Sequence, residues 1–257
     1  MLLAIDVGNS QTSYGLFRNE TLLHHWRAVT QASRTADEHA AFLFPLLQQA
    51  VIPSSSIHHV ALCSVVPNAD YAHLVFARDY LKLPLFKIHS GIPFGCRLNV
   101  DTPGEVGADR LANAAYAVKY LKLPAIVIDL GTATTFDVIS EGPSYEGGVI
   151  VPGLQMAVEA LGVRTAKLPI VDLKFPQRVI AKSTIECIQS GVLYGYCDLI
   201  DGLIDRTLKE LGKGGDIVLT GGVAPLLHKH LRTSTKLLPN LTLEGMFLIH
   251  KENTQTT

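Results

Sequence analysis

The chain of 257 residues carries 22 basic and 23 acidic side chains, a formal net charge of −1, and 47% of its residues are hydrophobic. This balance excludes a disordered, highly charged chain and gives no global electrostatic attraction to nucleic acid or to an anionic membrane. The four cysteines form no CxxC pair, which disfavours a zinc site or a disulfide framework. No run of about 18 apolar residues predicts a membrane span, and the N-terminal sequence lacks the basic start of a signal peptide. We therefore expect a cytoplasmic protein with neither a nucleic-acid nor a membrane partner.

The pattern of apolar residues predicts alternating strands and helices. The elements predicted in the first half are strands at 2–6, 12–17, 21–28, 58–66 and 84–89, and helices at 36–50, 69–81 and 105–121. In the second half they are strands at 125–130, 134–140, 146–151 and 216–220, and helices from about 154, over 183–211 and from about 224. Pro45 is expected to kink or break the first helix, and the polar stretch 251–257 is expected to fray.

One short pattern occurs twice in the chain. Residues 3–17 read LAIDVGNSQTSYGLF and residues 125–139 read AIVIDLGTATTFDVI. Each copy has an apolar run that ends in Asp, then a Gly, a run of small polar residues and a second strand-like run, which predicts strand, tight turn and strand. The copies are about 120 residues apart, a spacing typical of a duplicated domain rather than of a solenoid. We therefore predict an α/β protein with two domains, each a mixed β-sheet flanked by helices.

The two turns have the chemistry of phosphate sites. Each places a carboxylate, Asp6 or Asp129, beside small residues whose backbone N–H groups and hydroxyls suit phosphate oxygens, and Mg²⁺ prefers carboxylate and phosphate ligands. The first candidate cradle comprises Asp6, Gly8, Asn9, Ser10, Gln11, Thr12 and Ser13, and the second comprises Asp129, Gly131, Thr132, Ala133, Thr134 and Thr135. A third glycine turn, Thr220-Gly221-Gly222, follows a predicted strand. A single Asp-x-Gly turn would favour a structural role, whereas two matching copies and the third turn favour a nucleotide.

Other nucleotide motifs are absent from the sequence, including GxxxxGK[ST] and a GxGxxG that links a strand to a helix. The chain instead resembles type III pantothenate kinases, within the superfamily of acetate kinase, hexokinase, Hsp70 and actin. The motifs that carry this resemblance lie at 6–10 (DVGNS), 64–67 (SVVP), 107–110 (GADR), 129–135 (DLGTATT), 147–153 (GGVIVPG), 183–184 (ST) and 189–191 (QSG). They run over nearly the whole chain in the order of the family.

The resemblance implies two ribonuclease-H-like (actin-like ATPase) domains, which we place at residues 1–115 and 116–257. It implies ATP-dependent phosphorylation of pantothenate to 4'-phosphopantothenate, the first step of coenzyme A synthesis, by a cytosolic homodimer. It also implies Mg²⁺ and a monovalent cation, K⁺ or NH₄⁺. Two residues depart from the family pattern: Val100 stands where Tyr is common, and Ser10 stands where Thr is commoner.

Residue roles follow from the same resemblance. Asp109 is the predicted general base, and Asp129 is the predicted ligand of the monovalent cation. The predicted pantothenate-binding residues are Gly107, Ala108, Asp109, Arg110 and Thr184, the last reaching the substrate across the dimer. The predicted residues for ATP and Mg²⁺ are Asp6, Val7, Gly8, Asn9, Ser10, Gln11, Thr12, Ser13, Thr132 and Gly221, with Asp6 orienting the metal.

Structural alternatives stand beside these roles. Asp109 has the position of a residue that caps or forms an ion pair in a first helical turn, and Ser183-Thr184 before Glu186 resembles a helix cap. The helix at 185–211 has Gly191, Gly195 and Gly202 on or near one face, which predicts a dimer interface, although an internal core helix is the alternative. For the whole chain, the alternatives are a kinase of the same superfamily with another substrate and a nucleotide-binding regulator without turnover.

Overall fold

The structure, a computed structural model, describes residues 1–254 and divides them into two compact units. The first unit comprises Met1–Cys96, Asp101–Lys119 and the described residues from Leu241 to Thr254, and the second comprises Arg97–Val100 and Tyr120–Asn240. The sequence placed everything after residue 115 in the second domain. In the structure the last helix lies in the first unit, so this unit contains residues that the sequence assigned to the second domain. The boundary between the predicted domains stays a prediction.

The first unit is built on a five-stranded mixed sheet in the order β3-β2-β1-β4-β5. Its strands are β1 (Leu2–Val7), β2 (Gln11–Arg18), β3 (Thr21–Val29), β4 (His59–Ser64) and β5 (Leu85–Lys87). Its helices are α1 (Ala36–Gln49), α2 (Pro67–Val75, continued by a π-helical turn Phe76–Leu81), α3 (Ala108–Tyr120) and α7 (Leu241–Thr254). Strand β1 pairs antiparallel with β2 and parallel with β4, so it is the central strand of this sheet.

The second unit has a six-stranded mixed sheet in the order β11-β10-β7-β8-β9-β6. Its strands are β6 (Arg97–Leu98), β7 (Ala125–Leu130), β8 (Ala133–Ser140), β9 (Ser144–Pro152), β10 (Asp216–Thr220) and β11 (Lys236–Leu237). Its helices are α4 (Leu154–Arg164), α5 (Thr184–Leu211) and α6 (Ala224–Leu227). Two mixed sheets flanked by helices confirm the predicted α/β class.

The two copies of the repeated sequence pattern also have the same local structure. Strands β1 and β7 have the same succession of buried side chains, in which the fifth residue, Asp6 or Asp129, is the one that is only half buried. Each strand turns back into an antiparallel neighbour, and Asp6 lies opposite Ser13 as Asp129 lies opposite Thr135. Both carboxylates therefore leave the end of a strand that is otherwise covered by apolar residues.

Local signals account for the helix boundaries. Thr35 caps α1 in a capping box with Glu38, whose backbone N–H donates to the Thr35 hydroxyl while its carboxylate accepts from the Thr35 N–H. Pro45 lies inside α1, and the helix continues to Gln49, so the expected break does not occur. At the other end of the chain, α7 extends to Thr254 through part of the stretch that was expected to fray, and residues 255–257 lie outside the described residues.

A pair of buried histidines lies in the core of the first unit. The rings of His39 on α1 and His73 on α2 are 4.0 Å apart, and both side chains are almost fully buried. Nδ1 of His39 lies 3.0 Å from the Tyr14 hydroxyl, whereas Nε2 of His39 and both ring nitrogens of His73 have no hydrogen-bond partner among residues 1–254. Burial lowers the pKa of His39 to about 4 and that of His73 to about 3, with the Arg34 cation adding to both shifts. Both rings are therefore neutral at neutral pH.

Candidate active site

The first predicted phosphate turn joins β1 to β2. The N–H of Gly8 donates to the carbonyl oxygen of Gln11 over 3.0 Å, and a Cβ atom at Gly8 would lie only 3.1 Å from that oxygen. This close approach explains the glycine, and it leaves Asn9 and Ser10 exposed at the tip of the turn. The role of this turn as a phosphate site stays a prediction of its sequence.

Two of the residues predicted to bind ATP and Mg²⁺, Val7 and Thr12, are buried. Val7 is fully covered, so only its backbone is available to a ligand. The hydroxyl of Thr12 lies 2.8 Å from that of Thr30, and the Thr30 N–H donates to the carbonyl of Ser10 over 3.0 Å. These bonds tie the loop after β3 to the turn, which gives Thr12 a structural function, and its role as a phosphate ligand stays a prediction.

Helix α3 begins with the GADR motif, and its first turn fixes Asp109. Oδ1 of Asp109 accepts a hydrogen bond from the Arg110 N–H over 2.8 Å. The carboxylate folds back over Gly107, where an added Cβ would collide with Asp109 Oδ1 and lie 3.5 Å from the Val65 side chain. Because Val65 directly follows β4, whose neighbour is β1, this contact places Asp109 at the sheet edge where β1 and Asp6 end.

The environment of Asp109 changes its acidity. Burial raises the pKa of the Asp109 carboxyl, although the Arg110 N–H and guanidinium act in the opposite direction. A desolvated carboxylate is a stronger base than one in water, which is the property that a general base needs. Asp109 is the second residue of α3 rather than its N-cap, and its oxygen accepts the N–H of the next residue, so the capping alternative stays untested.

The neighbours of Asp109 differ in what they expose. Ala108 is buried, so a substrate would meet its backbone alone, whereas Arg110 is half buried. A guanidinium at a helix start is suited to bidentate pairing with a carboxylate, the charged group of pantothenate.

In the second unit, three glycine turns lie together around Asp129. The Gly131 N–H donates to the carbonyl of Ala133 over 3.1 Å and closes the turn between β7 and β8. Gly221, at φ +92°, follows β10, and a Cβ there would lie 2.6 Å from Asp129 Oδ1. The Gly153 N–H donates to the carbonyl of Thr132 over 3.0 Å, and a Cβ there would lie 2.7 Å from the Thr132 carbonyl carbon. The structure thus brings Asp129, Thr132 and Gly221 to one edge of the sheet.

Thr134 and Thr184 have different environments. The Thr134 side chain is buried, and its hydroxyl lies 2.6 Å from the hydroxyl of Tyr196 on α5. The Tyr196 hydroxyl also lies 2.8 Å from the carbonyl oxygen of Pro152. Sequence analysis did not identify Tyr196, because nothing local marks a tyrosine in a long helix as a partner of a turn.

Thr184 is exposed at the start of α5, where Ser183 caps the helix by accepting the Glu186 N–H. The capping prediction is confirmed, and the substrate contact of Thr184 stays a prediction.

The arrangement restricts how a metal would be held. Residues 1–254 contain no group of three or more His, Cys, Asp or Glu side chains that could hold an ion by themselves. A single carboxylate that shares Mg²⁺ with nucleotide phosphates is the common arrangement in kinases, and Asp6 beside the first turn fits it. Within the same range, no helix is long and apolar enough to cross a membrane.

The two mixed sheets and these turns define the class: an α/β protein with the actin-like ATPase fold. The fold is similar to that of the activator of the 2-hydroxyisocaproyl-CoA dehydratase from Clostridium difficile, solved with bound ADPNP. The TM-score is 0.59 at 11% identity, with 100% of this chain and 97% of that chain covered. Inorganic polyphosphate/ATP-glucomannokinase from Arthrobacter sp. strain KM gives a TM-score of 0.52 at 16% identity, with 100% and 99% covered.

Sequence comparison identifies the family. The model for type III pantothenate kinase matches residues 2–206. Type III pantothenate kinase from Thermobifida fusca is 42% identical over 258 residues, which cover 99% of this chain and 100% of the relative. This chain belongs to the type III pantothenate kinase family, as the motifs predicted.

Proposed function

We propose that this protein transfers the γ-phosphoryl group of ATP to the primary hydroxyl of pantothenate, giving 4'-phosphopantothenate and ADP in the first step of coenzyme A biosynthesis. Membership of the family over nearly the whole chain carries the proposal. The reaction takes place in the cytoplasm and involves neither nucleic acid nor membrane, in keeping with the net charge of −1.

Each unit has a distinct part in this reaction. In the first, Asp109 accepts the proton of the pantothenate hydroxyl as the oxygen attacks phosphorus, and Arg110 pairs with the pantothenate carboxylate. The N–H groups of the Gly8 turn donate to phosphate oxygens. In the second, Thr132 and Gly221 contact ATP. Phosphoryl transfer depends mainly on positioning and charge neutralisation, which these groups supply.

Two cations complete the proposal. Asp6 orients Mg²⁺, which when bound neutralises charge on the phosphate oxygens. Asp129 is the ligand of K⁺ or NH₄⁺. The close approach of Gly221 to Asp129 supports this role, because a Cβ at Gly221 would lie 2.6 Å from Asp129 Oδ1 and the carboxylate therefore lies beside the turn that follows β10.

The deciding experiment is ADP release from MgATP, with and without pantothenate, first in K⁺ and then in Na⁺ buffer. We expect turnover that requires both pantothenate and K⁺. Turnover indifferent to K⁺ would remove the cation role of Asp129 and keep the kinase. A folded protein that binds ATP without pantothenate-dependent turnover would contradict the proposal and favour another substrate or a regulator without turnover.

We also propose a homodimer formed through the second unit. Exposed apolar side chains cluster in its sequence between β9 and α5: Ile150, Met156, Val163, Ile170, Val179, Ile180 and Ile185. On α5, a Cβ at Gly191, Gly195 or Gly202 would meet nothing within 4 Å, so this face is open in one chain. Apolar surface of this kind is typical of an interaction site. Sedimentation equilibrium at micromolar concentration should give twice the chain mass, and a compact monomer would contradict the dimer.

A further inference from the structure

Helix α7 packs against α3, the helix that begins at Asp109, and the two backbones meet at one glycine. A Cβ atom added to Gly245 would overlap the carbonyl oxygen of Ala112 and lie 2.6 Å from its carbonyl carbon. Ala112 is one turn beyond Asp109 on α3. Only glycine permits this distance between the helices, and Gly in a helix interior is destabilising relative to Ala, so its presence there has a packing reason.

Hydrogen bonds beside this contact also link the two helices. The Thr242 hydroxyl donates to Oδ1 of Asn113 over 2.9 Å, in the buried interior of the unit. On the next turn, Glu244 is hydrogen-bonded to Tyr116, and burial raises the pKa of the Glu244 carboxyl. The first two turns of α7 thus hold the middle of α3.

The opposite side of α7 rests on the sheet. Leu243 packs over Gly15 of β2, where a Cβ would lie 3.1 Å from its Cδ1 atom. Further along, the Phe247 ring stacks on that of Phe17 at 5.1 Å. Since β2 is paired along its length with β1, α7 connects the strand that carries Asp6 to the helix that carries Asp109.

We propose that Gly245 is a positioning residue for catalysis: the absence of a side chain at this point sets the distance between α7 and α3, and with it the position of Asp109 relative to Asp6. The inference rests on the proposed function, in which Asp109 is the general base. Gly245 itself touches no substrate and acts through the backbone of Ala112.

The effect of a methyl group at this position follows from the geometry. To relieve the overlap, α3 must move by roughly an ångström, and a displacement of that size at a reacting group costs about 10²-fold in rate. In the proposed function, ATP is bound by the turns after β1, β7 and β10, which the displacement leaves in place. Gly245→Ala should therefore lower kcat by about 10- to 100-fold and leave KM for ATP within about threefold of wild type.

Thr242→Val is the matched control, since it removes a buried hydrogen bond from the same interface without pushing the helices apart. It should lower the melting temperature, because the Asn113 oxygen loses its donor, and keep kcat within about twofold. The proposal is overturned if Gly245→Ala retains kcat within about threefold of wild type. It is also overturned if Thr242→Val, with the same decrease in melting temperature as Gly245→Ala, lowers kcat by the same factor.

If Gly245→Ala is not recovered as a folded protein, Gly15→Ala moves α7 from its other side by pushing Leu243. A smaller fall in kcat, about threefold, with KM for ATP retained is then expected, and an unchanged kcat overturns the proposal. The wild-type protein is assayed in parallel. Absence of pantothenate-dependent turnover in the wild type would contradict the proposed function, whereas wild-type turnover with insensitive variants would contradict this inference alone.

Discussion

Asp109→Asn is expected to reduce pantothenate-dependent turnover by roughly 10²–10⁴-fold, the usual cost of removing a general base. The amide keeps the size of the carboxylate, and its oxygen still accepts the Arg110 N–H that now fixes Asp109 at 2.8 Å. What it loses is the capacity to accept the proton of the substrate hydroxyl. The measurement is the steady-state rate of ADP release, together with nucleotide affinity by calorimetry, which should be unchanged.

The stability of this variant separates the two interpretations of Asp109. Because burial raises the pKa of the carboxyl, the ionised group is disfavoured in the folded state, and a neutral amide removes that penalty. Asp109→Asn should thus melt no lower than wild type at pH 7. A purely structural cap would instead give lower stability with turnover within about threefold of wild type, and that result would remove Asp109 from the mechanism.

The same shift predicts the pH profile of the wild-type enzyme. Turnover should fall on the acid side as Asp109 becomes protonated, at a pH above the range of an ordinary aspartate, because its pKa is raised. The control is Asp79→Asn, which breaks an exposed ion pair with Arg78 on the surface of the first unit. It should leave both turnover and its pH profile at wild-type values.

Local patterns predicted most of the fold. Strands β1 and β7 were found because each is an apolar run that ends in Asp-x-Gly, and α1 was found from the spacing of its apolar residues. Predicted helices at 105–121 and 183–211 correspond to Ala108–Tyr120 and Thr184–Leu211. In these cases the signal lies within a few residues of the element that it predicts.

Contacts between distant segments could not be predicted in this way. Helix α7 was missed because its interior Gly245 weakens the helical pattern, and the close approach to Ala112 that requires this glycine is visible only in three dimensions. The contact of Gly221 with Asp129 results from the parallel pairing of β10 with β7, which aligns Thr220 with Asp129. The sequence predicts that both turns are ligand sites, but only the pairing of β10 with β7 brings them to one edge of the sheet.

The buried histidines of the first unit should make the protein sensitive to acid. The folded-state pKa values of His39 and His73 are about 4 and about 3, below the ordinary value of about 6.5 that they regain on unfolding. The unfolded chain therefore binds more protons, so stability is full above pH 6.5 and falls as the pH decreases toward 3. Between pH 7 and pH 5 the two rings together should reduce the free energy of unfolding by about 4 kcal/mol.

Replacing His73 with leucine tests this directly. Since neither ring nitrogen of His73 has a hydrogen-bond partner within residues 1–254, His73→Leu loses no hydrogen bond there and removes one titrating group. Urea unfolding at pH 7 and pH 5 should show the difference between the two values decreasing by about 2 kcal/mol relative to wild type. Leu43→Ala, in the hydrophobic core of the same unit, should lower stability equally at both pH values, because it removes packing and no proton site. An undiminished pH dependence in His73→Leu would mean that His73 is not a source of the acid sensitivity, and the slope would then have to arise elsewhere, for instance from His250, whose pKa is lowered by burial to about 4.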